Sequence, residues 1–315
     1  MTGSCQFFKR DKKKATHRKG VYMNYQQFVS AVEVRIKQQV KEGMSVCIQT
    51  TMKNNGKNRV GIMVSEKGIN VSPTIYLEEY FEQYQKHQSL DRIVKSILKL
   101  YQEVRIEHAW ETSVLQSFSK MQQKIVYKLI HAEENAELLE QIPHVCVLDL
   151  AIVFYVLLDV SKSGTATILI TDDIVKMWGV EKEKIYNIAH QNTKKLLPPE
   201  FQTMHSVVAE LLGEETNDEE EEDFMYVLTN EIRSFGAACI LYDKVLEDIG
   251  NQLGENYYVL PSSIHEVIIV PESKSPNRID LEDMIEEIND TQVEEEEILS
   301  YRAYYFSRKE NRLIL

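Results

Sequence analysis

The residue types best suited to chemistry are concentrated in Leu260-Pro261-Ser262-Ser263-Ile264-His265-Glu266. A serine hydroxyl, an imidazole and a carboxyl are the parts of a relay that cleaves or transfers an acyl group. Their spacing opposes that use. Ser263 and His265, two apart on a strand, point outward in parallel, whereas a relay needs convergence to about 3 Å and a third group that orients the base. No Gly-x-Ser-x-Gly elbow accompanies the serines. His265 and Glu266 fall on opposite strand faces and cannot easily grip one metal ion. The expectation is that Pro261 breaks a strand pair running from Asn256 to Glu272. The two serines then satisfy backbone donors at the kink, and His265 with Glu266 completes a polar network against Thr229 and Asn230. Catalysis by Ser262, Ser263, His265 and Glu266, in a small-molecule hydrolase or transferase, is the alternative.

The elements that position this stretch can be read in order. Tyr25, Phe28, Val29, Val32, Ile36 and Val40 recur at helical steps. Val46 to Met52 and Val60 to Val64 alternate around Asn55-Gly56, the signature of a β-hairpin. Lys53, Asn54 and Lys57 at its tip can touch an acidic ligand, although Asn and Gly there are explained by turn geometry alone. Ser72-Pro73-Thr74 enters a helix through Tyr76, Tyr80 and Tyr84, and Ser89 caps another through Val104. Helices are expected over 112–131 and 133–141. From Pro143 the texture changes: Val145 to Leu158 reads as a strand buried on both faces, paired with Thr165 to Ile170. Helices follow from Thr171 to Trp178 and from Glu181 to Leu196. Phe224 to Leu228 and Ala237 to Tyr242 read as strands, Asp243 and Asp280 as helix caps, and Tyr301 to Phe306 as an edge strand. The fold class is α+β, with N-terminal helices and a β-hairpin, then a C-terminal mixed β-sheet flanked by helices. The expected division is a basic extension over 1–22, a mainly helical lobe over 23–142 and an α+β lobe over 143–315 with an acidic loop over 213–223.

A chain of 315 residues with 43% apolar content can bury a large core. The net charge of −13 argues against general affinity for nucleic acid. A basic arm over residues 1–20 offers a local exception, and Arg18-Lys19-Gly20 is placed as a ribosome-binding site would be if Met23 is the start in a bacterial source. Cys5, Cys47, Cys146 and Cys239 lack metal-knuckle spacing and read as reduced, mostly buried thiols. His108 and His131 have no ligand partners at chelating spacing. No stretch reaches the roughly 20 apolar residues of a spanning helix, which points to a cytoplasmic protein. No phosphate-binding loop is present and no cofactor is indicated.

Several strings resemble an uncharacterised domain-of-unknown-function family of intestinal clostridia: Lys53-Asn54-Asn55-Gly56, Ser72 to Leu77, Tyr127-Lys128-Leu129-Ile130, Val227 to Asn230, Gly236-Ala237-Ala238 and Leu260 to Glu266. The resemblance covers about residues 25–306 and implies a structural signature without an assigned catalytic residue. The function expected is a non-catalytic module that binds another protein, with Thr229, Asn230, Lys53 and Asn54 as candidate contacts and the acidic face after Asp280 as a further surface.

Overall fold

The structure, a computed structural model, describes residues 23–66, 72–104, 117–161, 164–213, 224–275 and 277–315. The basic arm, His108 and the acidic run 214–223 lie outside the described residues.

The N-terminal layer is a sheet of β1 (Met44–Met52), β2 (Asn58–Glu66) and β3 (Thr74–Tyr76) under α1 (Tyr25–Gln39), α2 (Glu78–Gln85) and α3 (Leu90–Val104). The helix periods place Phe28, Val32 and Ile36 of α1 and Ile93, Val94, Ile97 and Tyr101 of α3 against Val46, Ile62 and Val64 of the sheet. Asn24 caps α1 reciprocally with Gln27. Thr74–Tyr76 is a strand, not a helix entry, because it pairs with β2.

The expected helix over 112–131 is corrected in its last part. After a short turn α4 (Phe118–Met121), Ile125–His131 forms β4. Its apolar residues are buried on both faces, Val126 and Ile130 on one and Ile125, Tyr127 and Leu129 on the other, and only a strand inside a layered body uses both. β4 runs antiparallel along one side of β6 (Leu150–Ser161); β5 (His144–Val147) and then β7 (Gly164–Leu169) flank the other side. The expected boundary at 142/143 therefore falls inside this sheet. The helical expectation over 133–141 shrinks to α5 (Ala136–Leu139).

α6 (Asp172–Trp178) is capped by Thr171 and closed by left-handed Gly179, and α7 (Lys182–Leu196) lays Ile185 and Ala189 on the sheet. A third sheet follows, ordered β13 (Arg312–Ile314), β12 (Tyr304–Ser307), β10 (Tyr257–Leu260), β11 (Val267–Pro271), β9 (Tyr226–Asn230), β8 (Pro199–Thr203). Its pairings are antiparallel throughout rather than mixed, and β12 is interior because β13 covers it. One sheet face, with Leu228, Tyr257, Val267 and Tyr304, shares the main core with the β4–β6 layer. The other packs on α10 (Arg278–Thr291), which follows α8 (Met204–Leu212) and α9 (Val245–Leu253). The cap of α10 is Asn277, whose side chain receives the Asp280 N–H, and Lys244 rather than Asp243 precedes α9. Cys239 is buried as expected, whereas Cys47 and Cys146 are exposed. No described helix is long and apolar enough to cross a membrane.

Gly236–Leu241 is a 3₁₀ turn, not a strand. Its first residue explains why: a Cβ on Gly236 would lie 2.2 Å from Thr229 Oγ1, 2.5 Å from the His265 carbonyl oxygen and 2.7 Å from the Asn230 nitrogen. Only glycine admits that approach. Gly61 meets a comparable 2.2 Å contact, but with the Thr74 methyl, which can rotate away. Gly236→Ala is expected to lower the urea-derived unfolding free energy by about 3 kcal/mol, and Gly61→Ala by less than half of that. Equal losses would refute the backbone-approach account.

Candidate functional site

Strand β10 ends at Leu260 and β11 begins at Val267, so Pro261 to Glu266 is the irregular connection of a hairpin. Most of its polar groups bond within the fold. Ser262 and Ser263 are buried. The Ser262 carbonyl accepts from Leu299 N at 3.0 Å, and Ile264 N donates to the Glu297 carbonyl at 2.9 Å. Ser263 Oγ accepts from His265 N at 3.0 Å and bonds the Glu266 carboxyl, whose pKa is raised by burial. The His265 ring has both nitrogens committed: Nδ1 accepts from Phe235 N at 3.3 Å and Nε2 lies 3.2 Å from Glu297 Oε1. That pattern places the ring proton on Nε2. The Glu297 carboxyl is held below its ordinary range by this hydrogen bond, against the upward push of burial. The ring also stacks on Phe235 at 5.7 Å. Thr229 Oγ1 donates to the His265 carbonyl at 2.8 Å, while Asn230 bonds Ser234 through both ends of its amide. The arrangement is a strut, with neither serine bonded to the imidazole.

The hairpin tip does more than turn the chain. Asn55 and Gly56 take positive φ as turn chemistry requires, and the two asparagine side chains then reach across the molecule. Asn54 Nδ2 donates to the Glu296 carbonyl at 2.9 Å; Asn55 Nδ2 donates to the carbonyls of Glu295 and Ile298 at 2.9 and 2.8 Å. Asn55 and Asn135 exchange bonds, N–H to Oδ1 at 2.8 Å and Nδ2 to Oδ1 at 2.9 Å. Three acidic side chains of the same segment are each engaged: Glu295 by the Lys57 ammonium, Glu296 by the Arg59 guanidinium at 2.9 Å, and Glu297 by the His265 ring. Arg59 also pairs with Glu78 and Glu79; its burial works against the charge and these hydrogen bonds more than restore it.

Two ammonium groups at this junction have no such partner. Among the described residues, neither Lys53 nor Lys128 makes an ion pair or side-chain hydrogen bond. Lys53 Nζ sits 4.1 Å from the Tyr76 ring centre and Lys128 Nζ 4.5 Å from that of Phe235, contacts that hold a cation more weakly than a carboxylate does. Burial, reinforced by Lys53, pulls the Lys128 amine down to about 8, with Glu296 opposing. Two oxygens nearby are also orphaned. Tyr155 OH and Asn54 Oδ1 are buried without a partner. Tyr155 faces Val126 across β6 and β4, so it shares a sheet face with Lys128 and packs edge-on against Phe235 at 5.4 Å. Phe235 itself stands at φ 57°.

Thus the structure gathers Lys53, Asn54, Thr229, Asn230, Ser263, His265 and Glu266 into one region without building a hydrolytic relay. Lys128 was missed because a helix over 112–131 puts it on a wet surface. The signal against that reading is the run Ile125 to Ile130, in which Lys128 alone is polar but for the Tyr127 hydroxyl, the texture of a doubly buried strand. A second constellation also escaped notice: Asp149 receives the Tyr304 hydroxyl and, at 2.6 Å, Ser300 Oγ, with His131 Nε2 3.9 Å away. It borders a 450 Å³ cleft with Arg278, Glu282, Arg302 and Leu315; a 330 Å³ cleft lies at Leu148, Ile240, Leu246, Phe306 and Leu313. None of Lys53, Asn54, Thr229, Asn230, Ser262, Ser263, His265 and Glu266 lines either cleft.

Asn55→Ala is expected to cost about 2 kcal/mol in urea unfolding and to speed amide exchange at 295–299 more than within β10–β11. Uniform acceleration would mean that the tip does not clamp this segment.

No curated protein matches the chain, and no solved structure matches it. Residues 25–308, nearly the whole chain, match DUF5688, a family of unknown function, and the chain belongs to that family.

Proposed function

We propose that this protein acts by binding, not by hydrolysis, and that its ligand presents a carboxylate to Lys53 and Lys128. One observation carries this reading: two ammonium groups stand unpaired beside a segment whose carboxylates are already taken by Lys57, Arg59 and His265. Lys128 is partly buried, a partly desolvated charge without an ion-pair partner is costly to the fold, and a ligand that supplies the counter-ion offsets that cost. The committed ring of His265 supports the non-hydrolytic half of the reading.

A partner protein as the bearer of that group is favoured by one further observation. The outward stripe of α8 is apolar, with Val208, Leu211 and Leu212 exposed at one-turn spacing.

Lys128→Met is expected to stabilise the ligand-free protein by about 1 kcal/mol at pH 7, because it removes a poorly compensated charge. The pH dependence has a definite sign. With the folded amine at about 8 and the unfolded one at about 10.4, the unfolded chain holds the extra proton between those values. Wild-type stability should therefore rise with pH across that window relative to Lys128→Met. Succinate in excess should raise the Tm of wild type and leave that of Lys128→Met unchanged. A destabilised, pH-indifferent variant would mark Lys128 as structural, and an identical succinate response in both proteins would reject the carboxylate site.

A further inference from the structure

β1 is the outer strand of the N-terminal sheet, and among the described residues no strand pairs with its free edge. Lys53 N donates to the Lys57 carbonyl at 2.6 Å, and the ladder this continues turns the odd-numbered residues of β1 toward β2. The N–H and C=O groups of Val46, Ile48 and Thr50 therefore point away from the sheet, on a strand whose Ser45, Cys47, Gln49, Thr50 and Met52 are exposed. Folds guard such an edge with charge, proline, a bulge or brevity. The third sheet does so: β13 is three residues long and holds Arg312, and β8 holds Pro199 and Glu200. β1 has nine residues, no charge, no proline and an unbroken register with β2. An unguarded edge of that length is a template for one more strand.

We propose that the strand it receives is β1 of a second copy of this chain, laid antiparallel across a two-fold axis at Ile48, so that two three-stranded sheets become one. That register overlaps the whole strand and sets outward-facing backbone against outward-facing backbone: Ile48 on Ile48 of the partner subunit, and Val46 on Thr50 of the partner subunit. It places no like charges opposite one another, although the chain as a whole carries −13. It also brings a projecting side chain to a hollow. Met52 is 51% exposed at one end of β1, while at the other end a 280 Å³ cleft opens beside Met44 among Val40, Leu98 and Tyr101. Met52 of the partner subunit falls opposite Met44 in this register, at the mouth of that cleft, and the two-fold repeats the fit. The even-numbered side chains of β1 share the sheet face that packs on α1 and α3, so the thioether arrives on the side where the cleft lies.

The test measures the mass of the full chain by sedimentation equilibrium, and wild type at tens of micromolar should be a dimer. Thr50→Pro removes an N–H that the single chain leaves unpaired, at an edge position that tolerates proline. It should keep the circular dichroism and melting profile of wild type while raising the dimer dissociation constant at least tenfold. Met52→Ala, which leaves the cleft unfilled, should raise it several-fold. Gln49→Cys, combined with Cys5→Ser and Cys146→Ser, reads the register: Cys47 then opposes position 49 of the partner subunit at a non-hydrogen-bonded pair, and diamide as oxidant should join those two positions between chains. Peptide mass spectrometry identifies the bridge. A monomeric wild type overturns the inference and leaves the edge to a strand of another protein. A dimer that a folded Thr50→Pro chain retains, or a diamide-treated dimer without the 47-to-49 bridge, overturns it as well; if Thr50→Pro unfolds, the bridge decides.

Discussion

The carbonyl oxygens of Glu295, Glu296 and Ile298 leave every regular ladder, and the amides of Asn54 and Asn55 receive them. A buried or half-buried carbonyl without a donor costs about as much as a lost hydrogen bond, so this segment can keep its course only while the hairpin tip is seated. The converse also holds. The tip is an exposed two-strand projection until Asn55 closes its exchange with Asn135 and its amide finds two carbonyls. One set of hydrogen bonds therefore joins the N-terminal layer to the body, aligns Glu295 and Glu296 with the cations of Lys57 and Arg59 and Glu297 with the His265 ring, and brings Lys53 into the electrostatic range of Lys128.

What could be read from the sequence follows from the range of the interactions involved. The β1–β2 hairpin was legible because alternation and Asn-Gly are local, and α1, α3, α6 and α7 because their periods and caps are local. At Ser262 to Glu266 the spacing of Ser263 and His265 opposes convergence, and Ser263 Oγ takes the His265 backbone N–H instead; Thr229 does bond the His265 carbonyl, while Asn230 turns to Ser234. Ile125 to His131 failed because helix and strand are equally good readings of a short apolar run, and only the pairing with β6 decides between them. Ala237 to Tyr242 failed because Gly236 must approach Thr229 and His265 closely, which bends the following residues into a 3₁₀ turn. The second role of Asn54 and Asn55 was beyond reach: their partners lie some 240 residues away, and no periodicity encodes that.

The junction also departs from what stability alone would select. Most of its polar groups are paired, as buried groups generally are. The Tyr155 hydroxyl and Asn54 Oδ1 are its buried exceptions, and phenylalanine or a smaller polar residue would remove each penalty without changing the fold. Tyr155 and Lys128 both meet Phe235, which stands at φ 57°, so an unpartnered hydroxyl, an ammonium without an ion pair and a strained aromatic fall together there. Local violations of that kind are where a fold gives up stability for a site.

Net charge sharpens the same point. A chain of −13 repels small anions at long range, and at physiological salt the field of exposed charges fades within about 8 Å. An anion cannot be steered here by the surface as a whole; it must be held by cations that are close and incompletely hydrated. Exposed lysines do not meet that condition, since water and salt weaken them. Lys128 meets it through burial beside Phe235, and the seated hairpin tip adds Lys53. Local desolvation, set by the same hydrogen bonds that close the fold, is what lets an acidic protein present a cationic site.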